Sequence, residues 1–512
     1  MGLRYADTRT ADVTDLTFTQ AVICGLSESG GLFAPVDLPT LSLDEITGMA
    51  ALDYHERAAL LYRRFGVDLP DEMIASLMAD AYGAQFDDTR VAPVAALDGS
   101  TFVLELWHGP TSAFKDMALQ CMPRFFSAAI DKQRAEGLLG KDVLILVATS
   151  GDTGKAALEG FADRDHTQLA VLYPADGVSE IQRKQMVTQR GENVCVFGVQ
   201  GNFDDCQTAA KEVFGDEEFR ASLAERGLVL SSANSINVGR LLPQVVYYVS
   251  AYADMVAAGH VAPGEPIDVC VPTGNFGNIL AAEYARRMGV PIVQLICASN
   301  ENDVLADFIE TGTYDISGRD FVRTPSPSMD ILVSSNLERL LYDLAGPEKV
   351  DRWMDDLRTS GAYSVDNTTH AKLREHFVGG AVSNDESLAA IREVWDTHGY
   401  LLDPHTAVAY RLATQLAKRS VLIVSTAHWA KFAPDVLRGM TGTRAGADLP
   451  APYGAHSEFD MLRDIAVLAP GCAPAPAALT ALEGVADRFT ETIAPGRVST
   501  EAALERWLDE RA

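Results

Sequence analysis

The sequence is poor in positive charge: 42 lysines and arginines stand against 71 aspartates and glutamates, a net charge of −29. No basic stripe interrupts that acidity, which argues against nucleic acid and anionic membranes as partners. An anionic substrate must then be drawn in by a local cluster of donors, which works because distant charge is screened within about 8 Å at physiological salt. Cysteine is scarce too. The seven residues (Cys24, Cys121, Cys195, Cys206, Cys270, Cys297, Cys472) are scattered and odd in number, with no C-x-x-C pair. That excludes a disulfide frame or a cysteine zinc site and fits reduced thiols in a cytoplasm. No H-E-x-x-H motif or carboxylate cluster suggests a metal. No apolar run reaches the roughly 18 residues of a membrane helix, and the opening Met-Gly-Leu-Arg-Tyr-Ala-Asp lacks a signal-peptide core. The expectation is a soluble, cytoplasmic chain whose oligomeric state is not legible.

What is present is a chain of 512 residues, 47% hydrophobic, and too long for one core. Residues 1–95 mix turn signals (Gly30-Gly31, Pro35, Pro39) with helical stretches such as Asp44 to Arg64 and read as a small leading domain. Buried apolar runs then alternate with Gly-rich turns and amphipathic helices. The runs include Asp142 to Ala148, Gln168 to Tyr173, Ile267 to Val271, Ile292 to Cys297 and Val421 to Val424. Strands covered on both faces look like this, so the fold class is α/β with parallel sheets. Past about residue 440 the chain turns Ala/Pro/Gly-rich and then helical (Thr500 to Arg511), as a C-terminal extension would. The stretch 310–336 has weak periodicity and takes no assignment.

Chemistry concentrates at strand ends, where parallel sheets bind ligands. Thr101 to Leu106 alternates toward a strand, and Gly109-Pro110 breaks it. Thr111 and Ser112 can then cap a helix through Phe125, with a kink or break at Pro123. Lys115 falls in its first turn, where the helix dipole disfavours an ammonium. A lysine there gains little as a solubilising charge, whereas a depressed pKa makes it a nucleophilic amine able to form a Schiff base.

Thr149-Ser-Gly-Asp-Thr-Gly154 leads from a strand into a helix, a place for a carboxylate or phosphate or an ordinary capped start. Pro272-Thr-Gly-Asn-Phe-Gly-Asn278 precedes another helix and suits a phosphate or a tight turn. Its G-x-x-G spacing is not the dinucleotide fingerprint, which weakens a nicotinamide dehydrogenase reading. Ser231 to Arg240 gathers hydroxyls, amides and a guanidinium suited to a phosphate. Asp403-Pro404-His405 reads as a capped helix start, and His428 as a structural histidine. One candidate imine lysine with two anion cradles fits a pyridoxal phosphate enzyme whose substrate carries a second phosphate.

At this point the sequence resembles the threonine synthase family of fold type II pyridoxal phosphate enzymes. The likeness rests on Asp7-Thr8-Arg9, Gly30 to Pro35, His108 to Asp116, Thr149 to Gly154, Gly201 to Gln207, Ser232 to Asn237 with Arg240, Gly274 to Asn278, Thr324 to Ile331, Asp403 to Ala407 and Thr426 to Phe432. The resemblance implies two parallel-sheet α/β domains, a large cofactor domain (96–140 and 236–440) and a small mobile one (141–235). An N-terminal domain (1–95) and a C-terminal helical extension (441–512) flank them. It also implies that Lys115 bears pyridoxal 5'-phosphate, that Gly274, Asn275, Phe276, Gly277 and Asn278 hold its phosphate, and that Asp152 lies by its phenolic oxygen. Thr426 would bond its ring nitrogen. Thr149, Ser150, Gly151 and Thr153 would hold the substrate carboxylate, with Thr153, Ser235, Asn237 and Arg240 on its phosphate. The implied reaction turns O-phosphohomoserine and water into threonine and phosphate. A phospholyase that releases 2-oxobutyrate, ammonia and phosphate would use the same residues. Two departures stand out: Trp429 occupies a usual proline position, and Asp7 a position often held by serine.

Overall fold

The apolar runs assemble into two sheets in the computed structural model, which describes residues 2–511. The larger has the strand order Phe377–Ala381, Ile292–Ser299, Ile267–Pro272, Val421–Ser425, Thr101–Glu105, Val94–Ala96. Its first five strands are parallel, and Val94–Ala96 adds an antiparallel edge across the boundary expected at residue 95. The smaller sheet is parallel throughout, in the order Thr492–Ile493, Val194–Val199, Thr167–Pro174, Asp142–Ala148, Leu228–Ser231. In Asp142–Ala148 every residue after Asp142 is buried. Such a strand has no wet face, so its sequence shows an unbroken apolar run with no alternation.

Helix Tyr54–Arg64 packs on helix Leu242–Ala257, and the two share one continuous core with the large sheet. The stretch from Asp44 to Arg64 is two helices. Leu43–Gly48 runs into a short turn, and Asp53 then starts Tyr54–Arg64 with a capping box to Glu56. An Asp with Glu three residues on satisfies free N–H groups and so begins a new helix inside an apolar-periodic stretch.

The C-terminal residues form a helical extension, and one short strand ties it to the small sheet. Thr492–Ile493 closes one edge of the small sheet, and helix Arg497–Asp509 packs on helix Phe203–Gly215 through Leu504 and Leu508. Helix Glu458–Leu468 lies against helices Ala433–Thr441 and Glu180–Val187. A two-residue strand is too short for periodicity to reveal.

Residues 310–336 owe their path to polar side chains. Thr313–Asp315 pairs antiparallel with Ala362–Ser364. The chain then folds around Asp330, whose carboxylate accepts from Thr324 N (3.0 Å), Thr324 Oγ1 (2.6 Å), Asn300 Nδ2 (2.8 Å) and Asn302 Nδ2 (3.1 Å). A segment held by side-chain hydrogen bonds has no reason to be hydrophobically periodic. It carries Ser328 to the carboxyl ends of the strands. No helix among the described residues is long and apolar enough to cross a membrane.

Candidate active site

The turn that presents Lys115 is built from inside. Thr111 and Ser112 do not cap the helix. It runs Lys115–Leu119 with Phe114 at the cap position, and a second helix, Met122–Ala135, begins at the break that Pro123 imposes. The capping polarity is reversed: Asp116 accepts from Thr111 N (2.8 Å) and Thr111 Oγ1 (2.7 Å). Ser112 takes a left-handed φ of 59°, a strained conformation for a residue with a Cβ. Gly109 is required because a Cβ there would stand 2.5 Å from Asp116 Cβ. The turn is stitched to the end of strand Val421–Ser425, with Phe114 N donating to Thr426 O (2.8 Å) and His428 N to Ser112 O (3.1 Å). Burial pushes the Asp116 carboxyl up to about 6, against the pull of its Thr111 bonds.

Lys115 is buried, and its Nζ donates to Ser328 Oγ (3.3 Å). Ser328 Oγ donates in turn to Asp152 Oδ2 (3.4 Å). The other carboxylate oxygen, Asp152 Oδ1, accepts from Lys431 Nζ (2.7 Å) and Gln182 Nε2 (2.9 Å). Burial lowers the Lys115 pKa to about 8; Asp152 opposes that fall, while Arg240 and Lys431 add to it. Burial would raise Asp152, but the charges of Lys431 and Lys115 outweigh it and hold the carboxyl well below the usual range. The deprotonated amine expected from sequence is therefore accessible near neutral pH.

Both candidate cradles offer open donors. Helix Gly277–Met288 starts after Phe276, whose left-handed φ of 62° is held by burial and stacking on Phe377. The N–H groups of Gly277, Asn278 and Ile279 find no acceptor among the described residues. Asn278 Oδ1 accepts from the Tyr247 hydroxyl (2.8 Å) and from Tyr248, leaving its buried Nδ2 without an acceptor. Asn275 is exposed, and its carbonyl accepts from Asn336 N (3.1 Å) and Nδ2 (2.9 Å). Gly274 lies so close to the neighbouring loop that a Cβ would stand 2.6 Å from Ser328 O. In the second cradle, Thr149 Oγ1 accepts from Gly151 N (3.0 Å) and Gly154 N (2.8 Å), so this hydroxyl shapes the loop. Ser150 and Thr153 keep free hydroxyls and N–H groups among the described residues, and Gly151 has a φ of 138°. A cleft of about 550 Å³ reaches Ser150 and Gln182 between the segments near Gly177 and Pro327.

Arg240 is buried with no carboxylate partner among the described residues. Its Nη1 donates to Ala233 O (3.0 Å), and its Nε finds no acceptor. Burial lowers its pKa to about 10. A buried cation with an open donor calls for an anion. Ser235 lies half-buried, 3.5 Å from the Ser335 hydroxyl, which is 3.5 Å from Asn275 Oδ1. Asn237 departs from its expected place on a substrate. Its Nδ2 donates to Val22 O (2.9 Å) and Ser232 O (3.2 Å), and its Oδ1 accepts from Gly239 N (2.9 Å). With every polar atom satisfied inside the protein, Asn237 braces the loop that carries Arg240.

At the remaining strand end Thr426 is buried, and its hydroxyl makes no hydrogen bond among the described residues. His428 caps the turn Trp429–Phe432 by accepting from Ala430 N (3.2 Å), as a structural histidine does. Asp403 caps helix Pro404–Leu416, and His405 Nε2 accepts from Ser328 N (3.1 Å). Trp429 is buried, and its indole donates to Ala473 O (2.9 Å). Asp7 accepts from Ser29 Oγ (2.7 Å), Arg9 N (2.7 Å) and Ser27. Three residues of the site were not singled out from sequence: Lys431, Ser328 and Gln182. Lys431 lay within a motif already noticed, but nothing local distinguishes a buried lysine from an exposed one.

Known proteins resemble this chain along most of its length. The model of the pyridoxal-phosphate-dependent enzyme family matches residues 89–426, and that of the threonine synthase N terminus matches residues 4–82. The chain is 45% identical to human threonine synthase-like 1 over 436 residues, covering 83% of this chain but only 58% of that protein. It is 40% identical to the threonine synthase of Pseudomonas aeruginosa over 438 residues, or 84% of this chain and 89% of that one. The crystal structure of pyridoxal-phosphate-bound threonine synthase from Brucella melitensis aligns over 99% of both chains, with a TM-score of 0.84 and 34% identity.

Proposed function

The chain belongs to the threonine synthase family of pyridoxal-phosphate-dependent enzymes, and from that premise we propose that it converts O-phosphohomoserine and water to L-threonine and phosphate. One observation carries the reading. Lys115 shares the site with two candidate anion cradles: the open helix start at Gly277, whose loop lies against Ser328, and the Arg240 guanidinium, which has no acidic partner among the described residues. One phosphate would belong to the cofactor and the other to the substrate.

The residues fit the cofactor. The orphaned Asn278 Nδ2 and the open N–H groups of Gly277 to Ile279 are the donor set that a phosphate takes. Gly274, with Asn275 and Phe276, would shape that cradle. Lys115 would bind the cofactor's carbonyl carbon through Nζ, Asp152 would lie by its phenolic oxygen, and Thr426 would bond its ring nitrogen. Bound there, the cofactor supplies an electron sink for the pair released at the carbon bearing the substrate's amino group.

The rest falls to the chain's own residues. Lys115, displaced by the substrate's amino group, takes the proton from Cα at Nζ and moves protons at Cβ. Its pKa near 8 suits a base working close to neutrality. The Thr149–Thr153 loop would hold the substrate carboxylate, chiefly through the free hydroxyls and N–H groups of Ser150 and Thr153, with Thr149 and Gly151 shaping it. Arg240, Thr153 and Ser235 would hold the phosphate as the Cγ–O bond breaks with loss of a Cβ proton to Lys115; Cγ would then take up a proton, and water would add its hydroxyl at Cβ while Cα regains a proton. Thr426 is a neutral partner for the ring nitrogen, weaker than a carboxylate at keeping it protonated, which favours elimination and replacement over transamination. The unpaired, mostly buried cysteines suit a reducing cytoplasm.

Product analysis tests the reading. The purified protein, given O-phosphohomoserine, should release phosphate and threonine in equal amounts, and Lys115→Ala should release neither. Phosphate with 2-oxobutyrate and ammonia would identify a phospholyase instead. No phosphate release from protein carrying a full complement of cofactor would refute both.

A further inference from the structure

Four charged groups meet in the buried site, and they do not balance. Lys115, Arg240 and Lys431 are cations, and Asp152 is the carboxylate among them. The helix that begins at Lys115 packs on helices Asp152–Phe161, Leu242–Ala257 and Met122–Ala135 and on the turn Val238–Arg240, and the charges that act on Lys115 come from Asp152, Arg240 and Lys431. Helix Asp152–Phe161 presents Asp152, the turn Val238–Arg240 presents Arg240, and the turn Trp429–Phe432 presents Lys431. The turn Pro327–Met329 presents the neutral Ser328, backed by His405. Asp116, the next residue in the chain, is turned to Thr111.

Lys431 is wholly buried, at 0% exposure. Its Nζ reaches two atoms: Asp152 Oδ1 at 2.7 Å and Thr111 O at 2.8 Å. The first contact engages the carboxylate oxygen not joined to Ser328 and Lys115. The second fixes the start of the turn that ends in Lys115, where Gln185 Nε2 also donates (3.3 Å). An ammonium held this deeply by one carboxylate and one carbonyl is costly to bury and serves nothing at the surface. With Asp152 directly paired to Lys431, Lys115 meets the carboxylate only through Ser328.

We propose that Lys431 is a positioning residue that ties Asp152 to the Thr111–Lys115 turn and keeps this carboxylate from neutralising Lys115. The amine then stays able to lose its proton and bond the cofactor. This inference rests on the proposed role of Lys115 as the cofactor-bearing lysine but not on the identity of the substrate.

The test uses the full-length protein stripped of cofactor and returned to pyridoxal phosphate across a range of pH. Borohydride trapping followed by mass measurement gives the capture rate at each pH. The wild-type midpoint should fall near 8. Lys431→Met should raise the midpoint, because Asp152 is freed for Lys115 and a neighbouring positive charge is lost. A rise of about one pH unit slows capture at pH 7 roughly tenfold. Lys431→Arg keeps the charge and should restore most of the wild-type profile, whereas Asp152→Asn should lower the midpoint. A merely structural lysine would lower the melting temperature of Lys431→Met without moving the midpoint. That result in a folded protein overturns the proposal. If Lys431→Met does not fold, Lys431→Gln takes its place, and an unchanged midpoint in that folded variant overturns the proposal equally. Adduct that still forms on Lys115→Ala would strike at the Lys115 assignment, and a wrong substrate would appear only in the products.

Discussion

Replacing Arg240 with methionine should make the ligand-free protein more stable and the enzyme worse. The guanidinium is 3% exposed, makes one hydrogen bond to Ala233 O, and has no carboxylate partner. Burial lowers its pKa from the ordinary 12.5 to about 10, which corresponds to a penalty of about 3 kcal/mol for keeping the charge. Methionine removes that penalty, loses about 1 kcal/mol with the Ala233 bond, and fills part of the volume. The net expectation is a gain of roughly 1–2 kcal/mol in unfolding free energy by denaturant titration. The substrate's phosphate loses a charge-assisted bidentate partner worth about 1.5–3 kcal/mol, or roughly 10- to 150-fold in kcat/KM. Because phosphate is also the leaving group, kcat should fall as well as KM rise. Arg240→Lys should recover part of the loss, since a point charge cannot reproduce the fork. Cofactor affinity, measured by titration, should hardly change. Weakened cofactor binding with intact KM would mean that the two phosphate sites are exchanged. A loss of stability would mean that Arg240 is a structural strut.

Gly274→Ala places a Cβ 2.6 Å from Ser328 O, so the cradle must shift, and cofactor affinity should fall by about tenfold or more. Unchanged cofactor titration would refute the close approach. Trp429→Pro restores the usual family residue but removes a buried indole bonded to Ala473 O, and should cost several kcal/mol as a lower melting temperature. An unaltered melting curve would mean that the indole has no packing role. His428 predicts acid sensitivity. Burial, with the nearby His108 and Lys431 charges, lowers its pKa to about 3, below the ordinary 6.5. The unfolded chain therefore binds a proton that the folded one refuses between those values. Stability is full above about 6.5 and lost as pH falls, by roughly 3 kcal/mol at pH 4. His428→Asn keeps an acceptor for Ala430 N and should flatten that decline; an equally steep curve would assign it to other groups.

Much of this molecule was legible in its sequence because the relevant signals are local. The run Asp142 to Ala148 is apolar without alternation and forms a strand with exactly those limits. The break expected at Pro123 occurs, because proline is accepted in a first turn and rejected in a helix interior. Asp403-Pro404 starts its helix as written. Lys115, the Gly274–Asn278 turn and Arg240 were each suspected from their residue types; the first two follow strands of the large sheet, and Arg240 comes from beyond the edge strand of the small one to act on Lys115.

Other assignments failed because the deciding partner lies far along the chain. Asn237 looked like a ligand donor, but its amide is bound by Val22 O, 215 residues away. Thr111 looked like a helix cap, but the buried Asp116 takes its hydroxyl.

By itself the sequence determined the strand and helix content, the lysine poised at a helix start and the anion-binding character of the loops, all set by periodicity, capping and backbone chemistry within a few residues. Only the tertiary structure decided which side chains remain free to act. That depends on burial and on partners from distant segments. Asp152 is engaged by Lys431, Asn237 is wholly satisfied within the protein, and Arg240 stays unpaired because no carboxylate is folded within its reach.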